Sequence, residues 1–415
     1  MINKPRGTED ILPQSSSLWR SIEQAVHEVC KNFGYGEVRT PTFEATELFE
    51  RGVGDTTDVV QKEMYTFLDK GDRSLTLRPE GTASVVRAYL ENSLYANPQP
   101  TKLYYIIPCY RYEKPQAGRL REFHQFGIEC FGTSSPSTDV EVISLAVNLL
   151  ERLQVLGVEL NVNSIGCPVC RTEYNEKLKN YFTEHKSKLC ETCLTRLEKN
   201  PMRIIDCKSP VCSEVAKNAP KVSDNLCDEC ETHFTAVKSG LDNLGIAYNI
   251  DPNIVRGLDY YTKTVFEITS NALGAQSALC GGGRYDGLVA TLGGADTPAI
   301  GFALGLERLV KILSVVGRDA IDTPNACDLY IATIGENALK TAEKLAYNLR
   351  KNGKSVQIDL CGRSVKAQMK YADKIGAKYS IVLGDDEVNS GVATLKNMTT
   401  GETKEIKLEN LGVEV

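Results

Sequence analysis

Residues 104–132, YYIIPCYRYEKPQAGRLREFHQFGIECFG, predict two β-strands joined by a polar loop. The first segment, up to about Glu113, is rich in aromatic and β-branched residues, which favour strands. The loop at 114–118 contains turn-forming, basic and amide residues. The second strand is expected from about Leu120 to Phe131. We interpret this unit as the centre around which the rest of the chain is organised.

Side chains alternate along a strand, so each strand has two faces. Arg111 and Glu113 share one face of the first strand, and Gln125 and Glu129 share one face of the second, between phenylalanines. Polar groups set among aromatic ones indicate the floor of a pocket. The planar guanidinium of Arg111 suits a carboxylate or a phosphate. Spacing alone leaves open a simple ion pair between Arg111 and Glu113.

The pattern (F/Y)-R-x-E, followed by a short loop and R-x-F-x-Q, resembles motif 2 of the class II aminoacyl-tRNA synthetases. Its detailed form, from Arg111 to Gly132, resembles the histidyl-tRNA synthetases. The resemblance implies that Arg111 holds the α-phosphate of ATP, that Glu113 lies on the adenine side, and that the loop touches the acceptor end of tRNA. The usual motif has arginine where Lys114 stands, so the charge is kept but planar bidentate contact is lost there.

The composition is that of a soluble globular protein. The 415 residues, 42% hydrophobic and 25% charged, predict two or three domains. No run of about 20 apolar residues predicts a membrane span, and the start MINKPRGTEDILP lacks the apolar core of a signal peptide. The net charge of −6 argues mildly against a nucleic-acid partner without excluding RNA. The 14 cysteines are expected to be reduced thiols of a cytoplasmic protein.

The N-terminal region predicts a helix followed by a dimerisation segment. Apolar residues such as Leu18 and Ile22 recur at helical spacing, which predicts an amphipathic helix from Ser16 to Phe33. The segment EVRTPTFEATELF that follows resembles motif 1, which forms the dimer interface in class II enzymes. The resemblance therefore implies a homodimer.

The segment LTLRPEGT at 75–82 predicts a short strand and a turn that lead into a helix. By position alone, Glu80 would be an acid that interacts with the dipole at the helix N-terminus. The resemblance gives Glu80, Gly81 and Thr82 a second role, which is to hold the α-ammonium of the substrate.

The stretch from Thr138 to Leu156 predicts a further helix. Thr138 and Glu141 have the spacing of a capping box, and Gly157 is expected to be the C-cap.

Two later segments resemble signatures peculiar to histidyl-tRNA synthetases. The first is VRGLDYYTKTVFEI at 255–268, and the second is ALCGGGRYDGL at 278–288. The glycines of the second segment do not complete the G-x-G-x-x-G pattern, and we expect them to let the backbone lie against the substrate. The resemblance assigns Tyr260, Tyr261 and Tyr285 to the histidine pocket.

The segment AIGFALGLERLVKIL at 299–313 predicts an apolar strand that runs through Gly305 into a helix starting near Leu306. It resembles motif 3, which implies that Arg308 contacts the γ-phosphate region of ATP. An exposed helix arginine is the alternative interpretation.

From 166 to 247 the sequence predicts lysine- and glutamate-rich helices with paired cysteines, which we interpret as an inserted domain. Histidyl-tRNA synthetases carry a helical insertion here that is thought to clamp the tRNA acceptor arm. The cysteine pairs are Cys167/Cys170, Cys190/Cys193, Cys207/Cys212 and Cys227/Cys230. Three of them are C-x-x-C pairs, a spacing that suits tetrahedral Zn²⁺, and eight thiols could make two four-cysteine structural sites. Small buried residues without a metal are the alternative.

Residues 318–326 predict a polar linker, and the pattern beyond it predicts a small α/β domain. Its expected elements are a strand at 329–333, a helix at 338–351, a strand at 355–360, a helix at 364–375, and strands at 379–383 and 392–396. On the second helix, Arg363, Lys366, Lys370 and Lys374 share one face. The resemblance favours an anticodon-binding domain that meets the tRNA backbone there, and a solvated face is the alternative.

The implied site assigns cations to the reacting groups. Arg111 and Arg256 would neutralise the α-phosphate and the attacking carboxylate, and Arg308 would neutralise the outer phosphates, so the chemistry is mainly positioning and charge stabilisation.

Other side chains would select the amino acid. Glu80, Thr82 and Gln125 would hold the ammonium, and Glu129 with Tyr261 would bind the imidazole. An ionised acid that accepts from an imidazole N–H selects through a polar contact, which gives large discrimination ratios.

These features predict a class II synthetase fold. An α+β catalytic domain with a mixed, mainly antiparallel sheet is expected at 1–322, interrupted by a helical cysteine-rich insertion at 166–247 and followed by an anticodon-binding α/β domain at 327–415. The implied function is activation of L-histidine to histidyl-adenylate by ATP with Mg²⁺, and transfer to tRNA(His), with neither DNA nor a membrane as partner. The alternative is a catalytically inactive, histidine-binding regulatory paralogue.

Overall fold

The computed structural model describes residues 1–54, 57–115, 118–205, 207, 209–254, 256–273, 278–315 and 327–414. The chain divides into two compact units, Met1–Asp319 and Ala320–Val415. The linker predicted at 318–326 lies outside the described residues, as do Gln116 and Ala117 of the predicted loop. In the described part of the chain, no helix has the length and apolar character needed to cross a membrane.

The first unit is built on a large sheet. Its strands are β1 Gly36–Glu37, β2 Phe43–Ala45, β3 Tyr65–Leu68, β4 Ser74–Leu77, β5 Thr101–Tyr110, β6 Glu122–Phe131, β7 Val158–Ser164, β8 Asn249–Ile250, β9 Thr262–Ser270, β10 Ala278–Arg284 and β11 Ala299–Gly305. Among the described residues, the large sheet has the order β1-β5-β6-β11-β10-β9-β7-β8, and β2-β4-β3 form a small one. Pairing in the large sheet is antiparallel from β5 across to β7 and parallel at the two edges. The predicted mixed, mainly antiparallel sheet is confirmed.

Strands β5 and β6 are the pair predicted from residues 104–132. They pair antiparallel along their whole length, from Thr101 opposite Phe131 to Tyr110 opposite Glu122. Strand β5 begins and ends three residues earlier than expected, so Arg111 lies just beyond its end rather than within it.

The first unit also contains helices, some of which pack on the large sheet. They are α1 Pro13–Asn32, α2 Thr46–Val53, α3 Thr82–Glu91, α4 Pro136–Arg152, α5 Pro168–Glu184, α6 Glu191–Lys199, α7 Pro210–Ala216, α8 Asp228–Asn243, α9 Leu288–Thr291 and α10 Leu306–Val315. The largest core contains side chains of α1, α4, α8 and α10, packed with the even-numbered residues Phe126, Ile128 and Cys130 of β6. A second core on the opposite face joins α3 to odd-numbered residues such as Tyr105 and Phe131. Gln125 and Glu129 therefore lie on the face away from the main helix layer.

Helix α4 differs at both ends from the expectation. It begins at Pro136, and the Ser135 side chain accepts a hydrogen bond from the Ser137 amide, so the capping box assigned to Thr138 and Glu141 is wrong. Proline suits the first helical position because its φ is already near the helical value and its missing N–H is not needed there. The helix ends at Arg152, well before Gly157, which instead turns the chain towards β7 with a φ of 69°.

The segment predicted as an insertion divides between two cores. Helices α5, α6 and α7 enclose a small core of their own, with Tyr174, Leu178 and Phe182 at its centre. In contrast, α8 places Phe234 and Val237 in the largest core of the unit. The boundary at 247 stays a prediction, but the last helix of the segment packs with the main sheet.

The second unit is an α/β domain. Its elements are β12 Cys327–Thr333, α11 Glu336–Lys351, β13 Val356–Ile358, α12 Val365–Lys374, β14 Ala377–Leu383, α13 Asp385–Ser390, β15 Val392–Asn397, β16 Thr403–Lys407 and α14 Leu411–Glu414. Its sheet order is β13-β12-β14-β15-β16, with parallel pairing up to β14 and antiparallel pairing beyond it. The C-terminal α/β fold is confirmed, whereas β16 and the two short helices were not predicted.

Candidate active site

One cavity of about 260 Å³ brings together most of the residues singled out in the sequence. The predicted residues among those that line it are Glu80, Thr82, Arg111, Glu113, Gln125, Arg256, Tyr260, Tyr261 and Arg308. Gly81, Glu129 and Tyr285 are not among the lining residues. Residues from four separate stretches of the chain thus meet because the antiparallel sheet brings β6, β10 and β11 side by side.

Arg111 is fixed by its surroundings but remains on the cavity wall. Its Nε donates to the carbonyl of Pro79 at 2.8 Å, and its guanidinium lies 5.3 Å from the centre of the Phe123 ring. The ion pair with Glu113 considered from spacing exists, but at 3.8 Å it is loose, because Glu113 pairs more closely with Arg119 at 3.0 Å. The arrangement leaves Arg111 available to an anion in the cavity.

Arg256 also lines the cavity. Its Nη1 pairs with Glu267 at 3.0 Å, and its guanidinium lies 5.9 Å from the centre of the Tyr261 ring. Its Nε is buried and has no hydrogen-bond partner among the described residues. A buried N–H donor without an acceptor is costly, so this atom points to a missing acceptor in the cavity.

The glycines of the second signature also allow close approach of neighbouring protein groups. A Cβ on Gly281 would lie 2.2 Å from Nη2 of Arg256, and a Cβ on Gly282 would lie 2.2 Å from the carbonyl oxygen of Gly301. These glycines therefore make room for Arg256 and for the neighbouring strand. Gly281 also lines the cavity, so contact between its backbone and a substrate stays a prediction.

Arg308 stands in the first turn of α10, as predicted for motif 3. Its Nε donates to the carbonyl of Gly118 at 3.1 Å, and its Nη1 donates to the carbonyl of Ala278. Burial lowers the pKa of Arg308, and the nearby positive charge of Arg119 lowers that pKa further. Several guanidinium groups thus share one cavity, which is a suitable environment for a polyanion.

Glu80 performs the structural role that its position suggested. One carboxylate oxygen accepts from the Thr82 amide and the other from the Ala83 amide, both at 2.8 Å, at the start of α3. Burial raises the pKa of Glu80, although both amide hydrogen bonds oppose this effect. Because an ionised carboxylate can accept about four hydrogen bonds, each oxygen keeps capacity for an ammonium donor.

Glu129 lies beneath the cavity floor and is 1% exposed. Thr82 Oγ1 donates to it at 2.7 Å, the Tyr105 hydroxyl donates at 3.1 Å, and the Tyr285 hydroxyl donates to its second oxygen. Burial raises the pKa of Glu129 to about 8. Direct contact with an imidazole stays a prediction.

Sequence reasoning missed Tyr105 and Arg119. Tyr105 lies opposite Gly127 in the strand pair, and a Cβ on Gly127 or on Gly81 would come within 2.3 or 2.4 Å of its ring. Gly81 therefore makes room for Tyr105. Tyr105 and Arg111 are an even number of residues apart, so the alternation of side chains along a strand could have placed Tyr105 on the pocket face. The position of Arg119 depends on the conformation of the loop.

His124 is outside the lining of this cavity. Its Nδ1 lies 2.9 Å from Glu307, which raises the pKa of His124, and its ring packs edge-on against Trp19.

The paired cysteines form two compact groups, and all are free thiols. We name them the junction cluster, made of Cys167, Cys170, Cys227 and Cys230, and the insertion cluster, made of Cys190, Cys193, Cys207 and Cys212. Within each cluster the sulfur atoms lie within 4.8 Å of one another. Each cluster could therefore hold one metal ion.

A mainly antiparallel sheet that delivers Arg111 to one wall of a cavity, with Arg308 in the first turn of the helix after β11, is the arrangement of a class II aminoacyl-tRNA synthetase. The family model described as histidyl-tRNA synthetase matches residues 7–309, and the model described as an anticodon binding domain matches residues 328–415. The chain belongs to the histidyl-tRNA synthetase family.

Individual proteins agree with this assignment. The chain is 60% identical over 407 residues to a histidine–tRNA ligase of Acetivibrio thermocellus, covering 98% of this chain and 97% of that protein. It is 56% identical over 409 residues to a histidine–tRNA ligase of Clostridium perfringens, with the same shares covered. The crystal structure of apo histidyl-tRNA synthetase from S. aureus is similar with a TM-score of 0.86 and 43% identity, covering 100% of this chain and 99% of that one.

Proposed function

We propose that this chain is a histidine–tRNA ligase, which activates L-histidine with ATP to histidyl-adenylate and transfers the histidyl group to tRNA(His). The observation that carries the proposal is the cavity in which Arg111, Arg256 and Arg308 meet Glu80 and Thr82. It offers cations for a carboxylate and a triphosphate next to acceptors for an ammonium. The full-length similarity to histidine–tRNA ligases supports the same activity.

The cations have separate tasks in this proposal. Attack of a carboxylate on a phosphate brings two anions together, so a positive charge is needed between them. Arg111 and Arg256, which both line the cavity, would stabilise the α-phosphate and the carboxylate, and the unpartnered Nε of Arg256 would gain its acceptor there. Arg308 would hold the outer phosphates, and Glu113 would lie beside the adenine.

Mg²⁺ would be bound together with ATP. Carboxylate side chains are among the residues that line the cavity, and their oxygens are the kind of donor that Mg²⁺ prefers. The ion would neutralise charge on the outer phosphates.

The histidine substrate would be held through its two ends. Glu80, Thr82 and Gln125 would bind the ammonium group, while Tyr260 and Tyr261 would enclose the side chain. Glu129 would act at the base of this pocket, together with Tyr285. Three hydroxyl groups donate hydrogen bonds to Glu129 and fix its carboxyl group, which supports a role for Glu129 in one specific polar contact with the imidazole.

The C-terminal unit would bind the anticodon of tRNA(His). Lys366, Lys370 and Lys374 of α12 are exposed. Arg363 is less free than expected, because it pairs with Asp359 at 3.0 Å and stacks 4.4 Å from the centre of the Tyr371 ring. The tRNA backbone would thus meet mainly the lysines. We also propose domain limits of 1–322, 166–247 and 327–415, a homodimer joined through the segment that resembles motif 1, and a cytoplasmic location.

Zinc is the metal that we propose for the two cysteine clusters. Four thiolates around a zinc ion, with bonds of about 2.3 Å, lie about 3.8 Å apart. The corresponding distances here are 3.7 Å for Cys167 to Cys170 and 3.9 Å for both Cys167 to Cys227 and Cys190 to Cys207. A disulfide would require about 2.05 Å, so the spacing supports a metal rather than oxidised pairs.

The test of the main proposal is ATP–pyrophosphate exchange with each of the standard amino acids in turn. Exchange should depend on histidine, and charging of tRNA(His) should follow. Binding of histidine without any exchange would instead support the regulatory paralogue. The presence of both signature segments and of the C-terminal unit argues against that alternative.

A further inference from the structure

Three of the cysteine pairs coincide with helix starts. Cys167, Cys190 and Cys227 occupy the N-cap positions of α5, α6 and α8, and each partner, three residues later, lies in the first turn. Helix N-termini favour negative charge. Backbone amides also point at the sulfur atoms, from Cys227 to Cys170 at 3.1 Å and from Cys190 to Cys212 at 3.2 Å. Both clusters therefore have support for the thiolate form that a metal requires.

The two clusters are nested along the chain but occupy different places in the fold. The insertion cluster lies within α5–α7, and its buried members Cys193 and Cys212 belong to the small core of that segment. The junction cluster joins the point where the chain leaves β7 to the point where α8 returns to the main core. The chain passes from the main sheet into the inserted helices and later returns, and the junction cluster joins these two passages to each other.

The junction cluster is also connected to the candidate active site. Gly166 immediately precedes it, and the Gly166 carbonyl accepts from the Lys263 amide at 3.0 Å and from the Thr262 hydroxyl at 3.1 Å. Arg171, in the helix that the cluster starts, donates to the carbonyl of Tyr261 at 3.1 Å. Tyr261 lines the cavity.

The backbone leaves little freedom at this junction. Gly166 has a φ of 66°, and a Cβ there would come within 2.6 Å of the Cβ of Cys170. Cys170 therefore packs directly against the backbone at Gly166, whose carbonyl holds the start of β9 next to Tyr261.

We infer that the two metal sites have different functions: zinc in the junction cluster positions Tyr261 in the histidine pocket, whereas zinc in the insertion cluster stabilises the inserted helices. The inference deepens the proposed function and rests on it for the identity of the pocket. The cysteines act through Gly166 and Arg171, so they are positioning residues.

The first part of the test measures metal. The full chain, purified under reducing conditions without chelator, should contain two zinc ions by elemental mass spectrometry. The double variants Cys167→Ser/Cys227→Ser and Cys190→Ser/Cys207→Ser should each lose one. Co²⁺ in place of zinc should give the absorption of a tetrahedral thiolate complex in the wild-type chain. The control Cys361→Ser removes an exposed thiol and should keep both ions.

The second part measures histidine. In pyrophosphate exchange, the junction variant should raise the KM for histidine by roughly 10-fold or more, since small displacements of positioning groups are costly. The effect of the insertion variant on that KM should be several-fold smaller. Cys167→His, which offers a nitrogen ligand to zinc, should recover the ion and part of the affinity.

Several results would overturn the inference. A wild-type chain that holds no zinc and takes up no Co²⁺ would contradict the proposed metal sites. Equal changes of KM in the two double variants would contradict a separate role for the junction cluster. Failure of the proposed function gives a different result, because a chain without histidine-dependent exchange would still show its metal content and cobalt spectrum.

Discussion

The guanidinium of Arg256 lies against the backbone of Gly281, so closely that a Cβ at Gly281 would come within 2.2 Å of Nη2. Since the clash is with the far end of a flexible side chain, a methyl group at this position would displace Arg256 rather than the strand. Substitution of Gly281 therefore tests the importance of the position of Arg256 without replacing Arg256 itself.

Gly281→Ala should lower histidine-dependent pyrophosphate exchange by roughly 10²-fold, close to the loss expected for removal of a charge partner. The melting temperature should change little. Gly287→Ala is a matched control, since Gly287 belongs to the same signature segment, does not line the cavity, and would place a Cβ that meets no atom within 4 Å. Normal exchange in Gly281→Ala would show that the position of Arg256 is not critical.

Arg256→Ala should reduce activation by a factor of roughly 10²–10³ or more, because the carboxylate and α-phosphate would lose the cation between them. Arg256→Lys should recover little, since lysine lacks the planar fork. Folding should be almost intact, because Arg256 faces the cavity. A large fall in melting temperature with near-normal exchange would assign Arg256 a structural role.

Glu129→Gln tests the carboxyl group beneath the pocket. The glutamine cannot accept from three hydroxyls as a carboxylate does, and the loss should weaken histidine binding by about 1–3 kcal/mol. The measurement is the KM for histidine in pyrophosphate exchange. An unchanged KM would show that Glu129 does not contribute to recognition of the imidazole.

The stability of the wild-type chain relative to Glu129→Gln should depend on pH. Burial raises the pKa of Glu129 from 4.5 to about 8, so the folded state binds more protons than the unfolded state between these values. Wild-type stability should consequently fall as pH rises through this window, by up to about 1.4 kcal/mol per pH unit from this group. Because glutamine does not titrate, the melting temperature of wild type relative to Glu129→Gln should fall across the window. A constant difference would contradict the raised pKa.

Truncation tests the second unit. A chain ending at Gly317 should retain histidine-dependent pyrophosphate exchange if it stays dimeric, but should charge tRNA(His) poorly because residues 327–415 are absent. The ratio of charging to exchange separates this effect from a general loss of fold. Equal charging by the truncated and full chains would exclude an anticodon role for the second unit.

Local sequence determined most of the elements and several site residues. The strand pair around Arg111 and the strand-to-helix passage before Arg308 follow from residue preferences and from side-chain periodicity, which act over a few positions. The antiparallel sheet and the C-terminal α/β unit were predicted from the resemblance and from the order of these elements. The spacing of the C-x-x-C pairs likewise indicated metal ligands, but not which pairs belong together.

Tertiary structure decided the relations between distant residues. Ser135 and Pro136, rather than Thr138, start α4, a choice that local rules left open. Glu129 was expected in the pocket floor, but it does not line the cavity and instead accepts a hydrogen bond from Thr82, which does.

The long-range contacts of Gly281 with Arg256, and of Cys167 with Cys227, join residues that are far apart in the chain. Sequence periodicity assigns a residue to a face of its own element. Packing of the elements against each other decides which side chains meet, how deeply a carboxyl group is buried, and therefore what its pKa becomes.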